Sequence, residues 1–335
     1  MYCIGLDIHK KNTQACVKDE SGKVIVNERF LSDVVAIDAF LDRLGIAVAE
    51  ARIVMEATGF YQYIYDEIEA RGFQVVLAHP LKLKALTSGR AKTDRNDAEM
   101  LAELLRINAV PESYVPPKDI RELRELTRHR SSLVSESTTL KNKIHAELAM
   151  KGAKPPAEAR TPFSKKFVGW LRSLNDMMID DLLDILDVVQ RKIKSMDARI
   201  EEAARNDEDV RLLETIPGVG HIVATVIKAE VGDLGRFDSA DQLASYAGLA
   251  PTVRQSGESK AHVGGMSKRG NPRLRHVLTE AVHVHVMYCE HSRLTAFFRR
   301  KKEEKGSKKA VVATAKKLLE VMYVMIVRRQ TFQAH

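Results

Sequence analysis

The chain is short of cysteine and of long apolar runs, and both shortages exclude function classes. Its three cysteines, Cys3, Cys16 and Cys289, are too few and too scattered for a disulfide framework or a zinc site. That usage suits a reducing cytoplasm. No segment approaches the roughly 20 uncharged apolar residues that span a bilayer. The apolar run at 2–6 is too short for a signal peptide and lacks a small-residue cleavage site. Neither secretion by a signal peptide nor contact with a membrane is expected. Repeats of solenoid period and extended low-complexity tracts are also lacking.

What is present suffices for real cores. Apolar residues make up 44% and charged residues 29%, which excludes wholesale disorder. A length of 335 residues predicts two or three folded units at about 150 residues each. The net charge of +8 hides a gradient. Residues 1–117 carry 14 basic and 17 acidic groups, residues 118–206 carry 18 and 14, and residues 207–335 carry 21 and 14. A basic C-terminal two-thirds behind an acidic N-terminal third suggests a grip on a polyanion joined to something that needs carboxylates. Composition alone also fits a mildly basic soluble protein, so the motifs decide.

Residues 1–115 read as an α/β unit. Short stretches rich in β-formers at 2–8, 13–18 and 23–30 predict three strands, with Ser21-Gly22 turning between the last two. A helix at 33–44, a strand at 51–56, a helix at 61–71, a strand at 74–78 and an amphipathic helix at 94–107 follow. Three strands in a meander, then alternating helices and strands, is the order of a ribonuclease H-like sheet. Pro111, Pro116 and Pro117 close the unit.

Residues 116–206 read as a helical connector. Leu126, Leu133 and Leu140 lie seven apart, with Leu123, Arg130, Ser137 and Ile144 at the other core position. Leu182, Ile185, Val189, Ile193, Met196 and Ile200 repeat the spacing beyond Pro155-Pro156. Two such seams predict an antiparallel hairpin or coiled coil, and an ordinary helical bundle fits the same pattern. Arg130 and Ser137 are costly in a dry core, so a partner helix or nucleic acid is expected beside them. Residues 207–335 read as a mostly α domain, with an apolar helix through Ile222, Val223 and Ile227 and amphipathic helices near the end, including one at 309–327. Between these lies a glycine- and serine-rich loop at 252–271.

Four carboxylates of the N-terminal third occupy telling places. Asp7 and Glu56 end the first and fourth predicted strands, and strand ends of such sheets converge on one edge, where sites form. Asp94 and Asp97, three apart at a helix start, share a face near its positive end. Taken singly each is ordinary: Asp94 suits a helix cap and Glu56 a structural acid. Brought together they repel, and two Mg²⁺ ions would compensate them and clamp a phosphodiester. Hard cations take oxygen ligands, and no His/Cys set is expected to compete.

In the last third, Pro217-Gly218-Val219-Gly220 between apolar helical segments is a helix-hairpin-helix signature. Gly218 and Gly220 would let backbone N–H groups reach phosphate oxygens without reading bases; a plain helical corner with a glycine cap is the alternative. Lys268, Arg269, Arg273 and Arg275, then Arg299, Arg300, Lys301 and Lys302, form cationic runs that favour nucleic acid. Ser256, Ser259 and Ser267 lie near Arg254, Lys260 and Lys268. A serine that attacks a phosphodiester preserves the bond's energy for rejoining, but composition does not choose among the three.

Ile4-Gly5-Leu6-Asp7-Ile8-His9-Lys10, Met55-Glu56-Ala57-Thr58-Gly59-Phe60-Tyr61 and Lys92-Thr93-Asp94-Arg95-Asn96-Asp97-Ala98 resemble the DEDD catalytic blocks of one bacterial insertion-sequence transposase family, the one-ten family of bridge-RNA-guided recombinases. Tyr246-Ala247-Gly248-Leu249-Ala250-Pro251, Arg254-Gln255-Ser256-Gly257 and Met266-Ser267-Lys268-Arg269-Gly270-Asn271 resemble its C-terminal transposase domain. The resemblance spans nearly the whole chain and keeps order and spacing. It implies a RuvC-type fold, Mg²⁺ on Asp7, Glu56, Asp94 and Asp97, and Ser256 as a nucleophile that forms a 5′-phosphoserine. It also implies a homo-oligomer, dimer or tetramer, with donor and target double-stranded DNA selected by a structured guide RNA, in a bacterial cytoplasm near the nucleoid. Competing readings are a Holliday-junction-type nuclease that uses water, a non-catalytic DNA-binding architectural protein, and a sugar-kinase-like phosphotransferase. The last would need glycine-rich phosphate loops, which the sequence lacks.

Overall fold

The computed structural model describes residues 1–57, 59, 61–87, 93–254, 262–266 and 270–334, which fall into two units, Met1–Val115 and Pro116–His335. The first runs β1 (Tyr2–Ile8), β2 (Asn12–Lys18), β3 (Val24–Leu31), α1 (Val34–Leu44), β4 (Ala51–Glu56), α2 (Gln62–Ala70), β5 (Gln74–Ala78), α3 (Pro80–Thr87) and α4 (Asp94–Arg106). The short α3 went unpredicted; Pro80 suits a first helical turn. The sheet order is β3-β2-β1-β4-β5, antiparallel through the first three strands and parallel from β1 to β4 and β5.

Alternation along β1 sets the layers. Ile4, Leu6 and Ile8 face one side, where they share a core with Ile37, Phe40 and Leu41 of α1 and Ile64 and Ile68 of α2. Cys3, Gly5 and Asp7 face the other. There Leu101 and Leu105 of α4 cover Cys3, Val54 and Val76. Burial on both faces explains why β1 reads as an almost continuous apolar run.

Gly5 decides how close α4 comes. A Cβ there would lie 2.3 Å from the Ala98 carbonyl oxygen and 2.5 Å from the Ala102 nitrogen, both backbone atoms of α4. Ala98 and Ala102 are themselves fully buried and small, so helix and strand meet backbone to backbone. Gly5→Ala is therefore expected to destabilise this unit by about 3 kcal/mol, at the upper end for overpacking. That would appear as a fall of about 10 °C in its melting by circular dichroism. A loss below about 1 kcal/mol would mean that α4 can withdraw freely.

The second unit runs α5 (Lys118–Met150), α6 (Lys165–Ser173), α7 (Met177–Ala204), α8 (Glu208–Glu214), α9 (His221–Val231), α10 (Ala240–Tyr246), β6 (Pro251–Arg254), β7 (His262–Met266), α11 (Pro272–Tyr288), α12 (Arg293–Lys305) and α13 (Ser307–Arg328). Helices α5 and α7 pair in opposite directions: Lys151 meets Asp176 and Arg130 meets Asp197. The partner helix expected beside Arg130 is thus α7, whose Asp197 neutralises the guanidinium, and Ser137 is buried in the same seam.

Val189, Met196 and Ile200 of the expected α7 seam are buried, but its N-terminal half differs. Leu183 and Leu186 are buried with Leu140, Ile144 and Leu148, whereas Ile185 is 51% exposed and Leu182 only half-buried. Both sets satisfy the 3–4 spacing; α6, through Phe167 and Leu171, selects the face that is covered. Farther along, Leu123 of α5 and Ala204 of α7 join the core built by α8, α9, α11 and α13.

Residues 252–271 are not simply a loop. Strands β6 and β7 pair antiparallel, Val253 with Val263 and Arg254 with His262. The β-formers on either side of the glycine- and serine-rich stretch account for the pairing. Among the described residues, no helix is long and apolar enough to cross a membrane.

Candidate active site

The strand face that meets α4 gathers the acids. Asp7 is on it by alternation, and Glu56 shares it with Val54 of β4. Leu6 pairs with Met55 in the parallel ladder, so the residues that follow, Asp7 and Glu56, leave adjacent strands side by side. Because Gly5 seats α4 directly on this face, the first turn of that helix ends beside Asp7. Thr93 caps α4, its hydroxyl accepting from the Asn96 N–H at 3.2 Å. The cap role thus falls to Thr93, leaving Asp94 and Asp97 in the first turn with their carboxylates uncommitted to capping.

His9 joins the two elements. Its Nε2 lies 3.1 Å from Asp7 Oδ2 and 3.4 Å from Asp94 Oδ1. One ligand atom each from Asp7, His9 and Asp94 fall within 4.8 Å of one another. Glu56 and Asp97 are not part of that trio. Asp7 is buried, and desolvation raises the pKa of its carboxyl; His9 opposes the rise, while the charges of Asp97 and Asp94 add to it. His9 adds one imidazole nitrogen to the oxygen ligands the sequence offered, a candidate ligand not singled out from the sequence. Its signal was its position two residues past Asp7, where it continues the α4-facing register beyond the strand.

A second network fixes α4. Buried Lys18 of β2 reaches Glu103 at 3.1 Å and Glu99 at 3.3 Å. The Arg106 hydrogen bond holds the Glu103 carboxyl well below its usual range, at about 2, with Lys18 assisting against desolvation. These two acids hold the helix in place and leave the site to its first turn. Lys18 carried no sequence signal: a lysine in a strand ordinarily faces water.

In the second unit, Gly218 lies at φ 93° between α8 and α9, and a Cβ on it would lie 2.6 Å from the His285 nitrogen. Gly220 is the N-cap of α9, with no side-chain cap and open space where a Cβ would go. The first N–H groups of α9 are therefore approachable past a residue that shields nothing. His221 bonds Glu214 at 2.8 Å. Arg273 and Arg275 lie in the first turn of α11 and are exposed and half-buried respectively. Among the run on α12, Arg299 meets Glu290 at 2.7 Å, Lys301 meets Glu304 at 2.6 Å and Arg300 meets the same acid at 4.0 Å. Lys302 lies in the last turn of that helix. The expected cationic run is thus partly neutralised by neighbouring acids. Ser256, Ser259, Ser267, Lys268 and Arg269 lie outside the described residues, as does the side chain of Arg254, whose backbone ends β6.

Residues 4–151 match the model of a DEDD transposase family, and residues 210–299 match that of the transposase IS116/IS110/IS902 family. A putative transposase, y4rJ, of Sinorhizobium fredii is 30% identical over 278 residues, 74% of this chain and 69% of that protein. The transposase for insertion sequence element IS1111A of Coxiella burnetii is 27% identical across 98% of this chain and 91% of its own. That for IS1328 of Yersinia enterocolitica is 24% identical across 98% of each. The class is transposase, and the chain belongs to the IS110 family. DNA is accordingly its substrate.

A DEDD-type domain implies a divalent cation, and the residues fit one. Asp7 and Asp94 bring carboxylate oxygens to a common point, and burial has made the Asp7 charge unfavourable in the absence of a counter-ion.

Proposed function

We propose that this transposase cleaves and rejoins DNA through a 5′-phosphoserine on Ser256, with Mg²⁺ held by Asp7, Glu56, Asp94 and Asp97. The observation that carries the reading is the meeting of Asp7 with the first turn of α4 on the face that also holds the end of β4. Strand order β3-β2-β1-β4-β5 supports a RuvC-type ribonuclease H domain over residues 1–115. The antiparallel α5–α7 pair supports a coiled-coil connector over 116–206. Gly218, Gly220 and the open N-terminus of α9 support a helix-hairpin-helix in a transposase domain over 207–335.

When bound, Mg²⁺ would supply the positive charge that a phosphodiester needs beside four acids; the acids hold and orient it. The Ser256 hydroxyl oxygen forms its bond to phosphorus as the bond to the 3′ oxygen breaks, and the leaving oxygen takes a proton to become a 3′-hydroxyl. A 3′-hydroxyl of the other duplex then attacks the phosphoserine and returns the serine. One phosphodiester is exchanged for another, so no nucleotide hydrolysis is needed. The target is set by a structured RNA encoded by the element, and the protein works in the bacterial cytoplasm at the nucleoid as a dimer or tetramer.

The test is a denaturing gel. The full chain, incubated with Mg²⁺, the RNA of its own element and labelled element-end DNA, is expected to yield protein covalently joined to a 5′ end. Cleaved DNA without any adduct would replace this reading with a hydrolytic nuclease of the Holliday-junction type.

A further inference from the structure

A buried carboxylate that the reaction above does not use ties the roots of the Ser256 segment to the long helix α5. Glu230 of α9 is 1% exposed, and both of its oxygens are taken. Arg128 of α5 grips it as a fork, Nε to Oε1 at 2.8 Å and a terminal nitrogen to Oε2 at 2.9 Å. The Asn271 side-chain amide donates to Oε2 at 2.8 Å. Arg124, one turn earlier on α5, donates to the carbonyls of Ala229 and Glu230 at 2.9 and 3.2 Å. Desolvation works to raise the Glu230 pKa, but Arg128 and Asn271 overcome it and hold the carboxyl below its usual range.

Asn271 follows directly on the segment that carries Ser256, Lys268 and Arg269. Its side-chain oxygen caps α11 by accepting from the Arg273 and Leu274 N–H groups. Its own N–H donates to the Tyr246 carbonyl at 2.8 Å, and the Tyr246 hydroxyl donates back to the Glu230 carbonyl at 2.8 Å. One residue earlier, Gly270 is pressed on Gly248: a Cβ there would lie 2.1 Å from the Gly248 nitrogen, and Gly248 itself has φ 69°. Gly248 lies three residues before β6, so the chain is pinned where it enters the β6–β7 hairpin and where it leaves.

We propose that Glu230 is a positioning residue for strand cleavage: through Asn271 and Arg128 it fixes the roots of the Ser256 segment to α5. The proposal rests on Ser256 as the nucleophile. A buried ion pair adds little net stability over apolar packing, but a bidentate fork fixes direction as well as distance. A nucleophile displaced by about 1 Å can lose on the order of 100-fold in rate, so a charged anchor at the root matters to the chemistry.

The experiment measures single-turnover formation of the covalent adduct by the full chain with its element's RNA, Mg²⁺ and element-end DNA. Glu230→Gln keeps shape and removes the charge. Asn271→Asp keeps the α11 cap, since both residues cap equally well, but replaces the donor to Glu230 with an acceptor. Both variants are expected to form adduct at least about 30-fold more slowly at saturating DNA, with DNA affinity within twofold of wild type. If Glu230→Gln fails to fold, Asn271→Asp decides. A folded Asn271→Asp that forms adduct at the wild-type rate overturns the proposal. So does a parallel loss of DNA affinity and rate, or collapse of both variants, because either assigns Glu230 to the fold alone. A wild-type protein that cleaves without a Ser256-dependent adduct sinks the serine reading and this proposal with it. Variant and wild-type rates therefore tell the two failures apart.

Discussion

Ser256→Ala is expected to lower recombination in a plasmid assay with the cognate RNA by on the order of 10⁴-fold or more, to background. The size of the effect follows from what the hydroxyl does. It receives the phosphoryl group and keeps it in an ester that a 3′-hydroxyl can attack later. Water in its place would hydrolyse the strand and dissipate that bond, leaving cut ends instead of joined ones. No other group among the proposed site residues can store the phosphoryl in this way, because the acids are committed to the cation. The variant should still bind DNA and RNA, measured by gel shift, since the proposed phosphate contacts at Gly218, Gly220 and the arginines are untouched. Full recombination by Ser256→Ala would move the covalent role to Ser259 or Ser267, or end it.

Asp7→Asn is expected to reduce Mg²⁺-dependent strand cleavage by about 10³-fold while making the metal-free protein more stable. The two effects have one cause. Asp7 is buried, with Asp94 and Asp97 nearby, and desolvation holds its pKa above the unfolded value of about 4. Between those two values the native state binds more protons than the unfolded one, so metal-free stability falls as pH rises through that window. Above it the loss is complete. Removing the charge should therefore raise the melting temperature of the metal-free protein at pH 7.5. Mg²⁺ should raise the melting point of the wild type and leave that of Asp7→Asn unmoved. A variant that melts lower than wild type without metal, or responds equally to Mg²⁺, would show that Asp7 has a structural role.

The fold of the first unit was legible because its signals are local. Short runs of β-formers placed β1, β4 and β5 residue for residue, and the starts of α1 and α4 fell within a residue of the expected Asp33 and Asp94, although the cap of α4 is Thr93. The acids were legible for the same reason: Asp7 and Glu56 end strands, and Asp94 and Asp97 begin a helix. What escaped was decided by contacts between distant segments. Nothing in the 3–4 spacing says whether Ile185 or Leu186 turns inward, because the choice belongs to α6. Lys18 and Glu230 look like surface charges in the sequence, and only the approach of α4 to β2 and of α5 to α9 buries them. His9 was within reach of pattern reasoning, as the next residue in the register of Cys3, Gly5 and Asp7.

The contact of Gly5 with the backbone of α4 has a consequence for how tolerant the acidic pocket is. Separation between Asp7 and the helix start is set by two main chains lying against each other, so no rotamer change can widen it. A longer acid at either place must therefore find its room by bending its own side chain, because the helix cannot move aside. The spacing of this pair of acids thus depends on a residue that has no side chain at all.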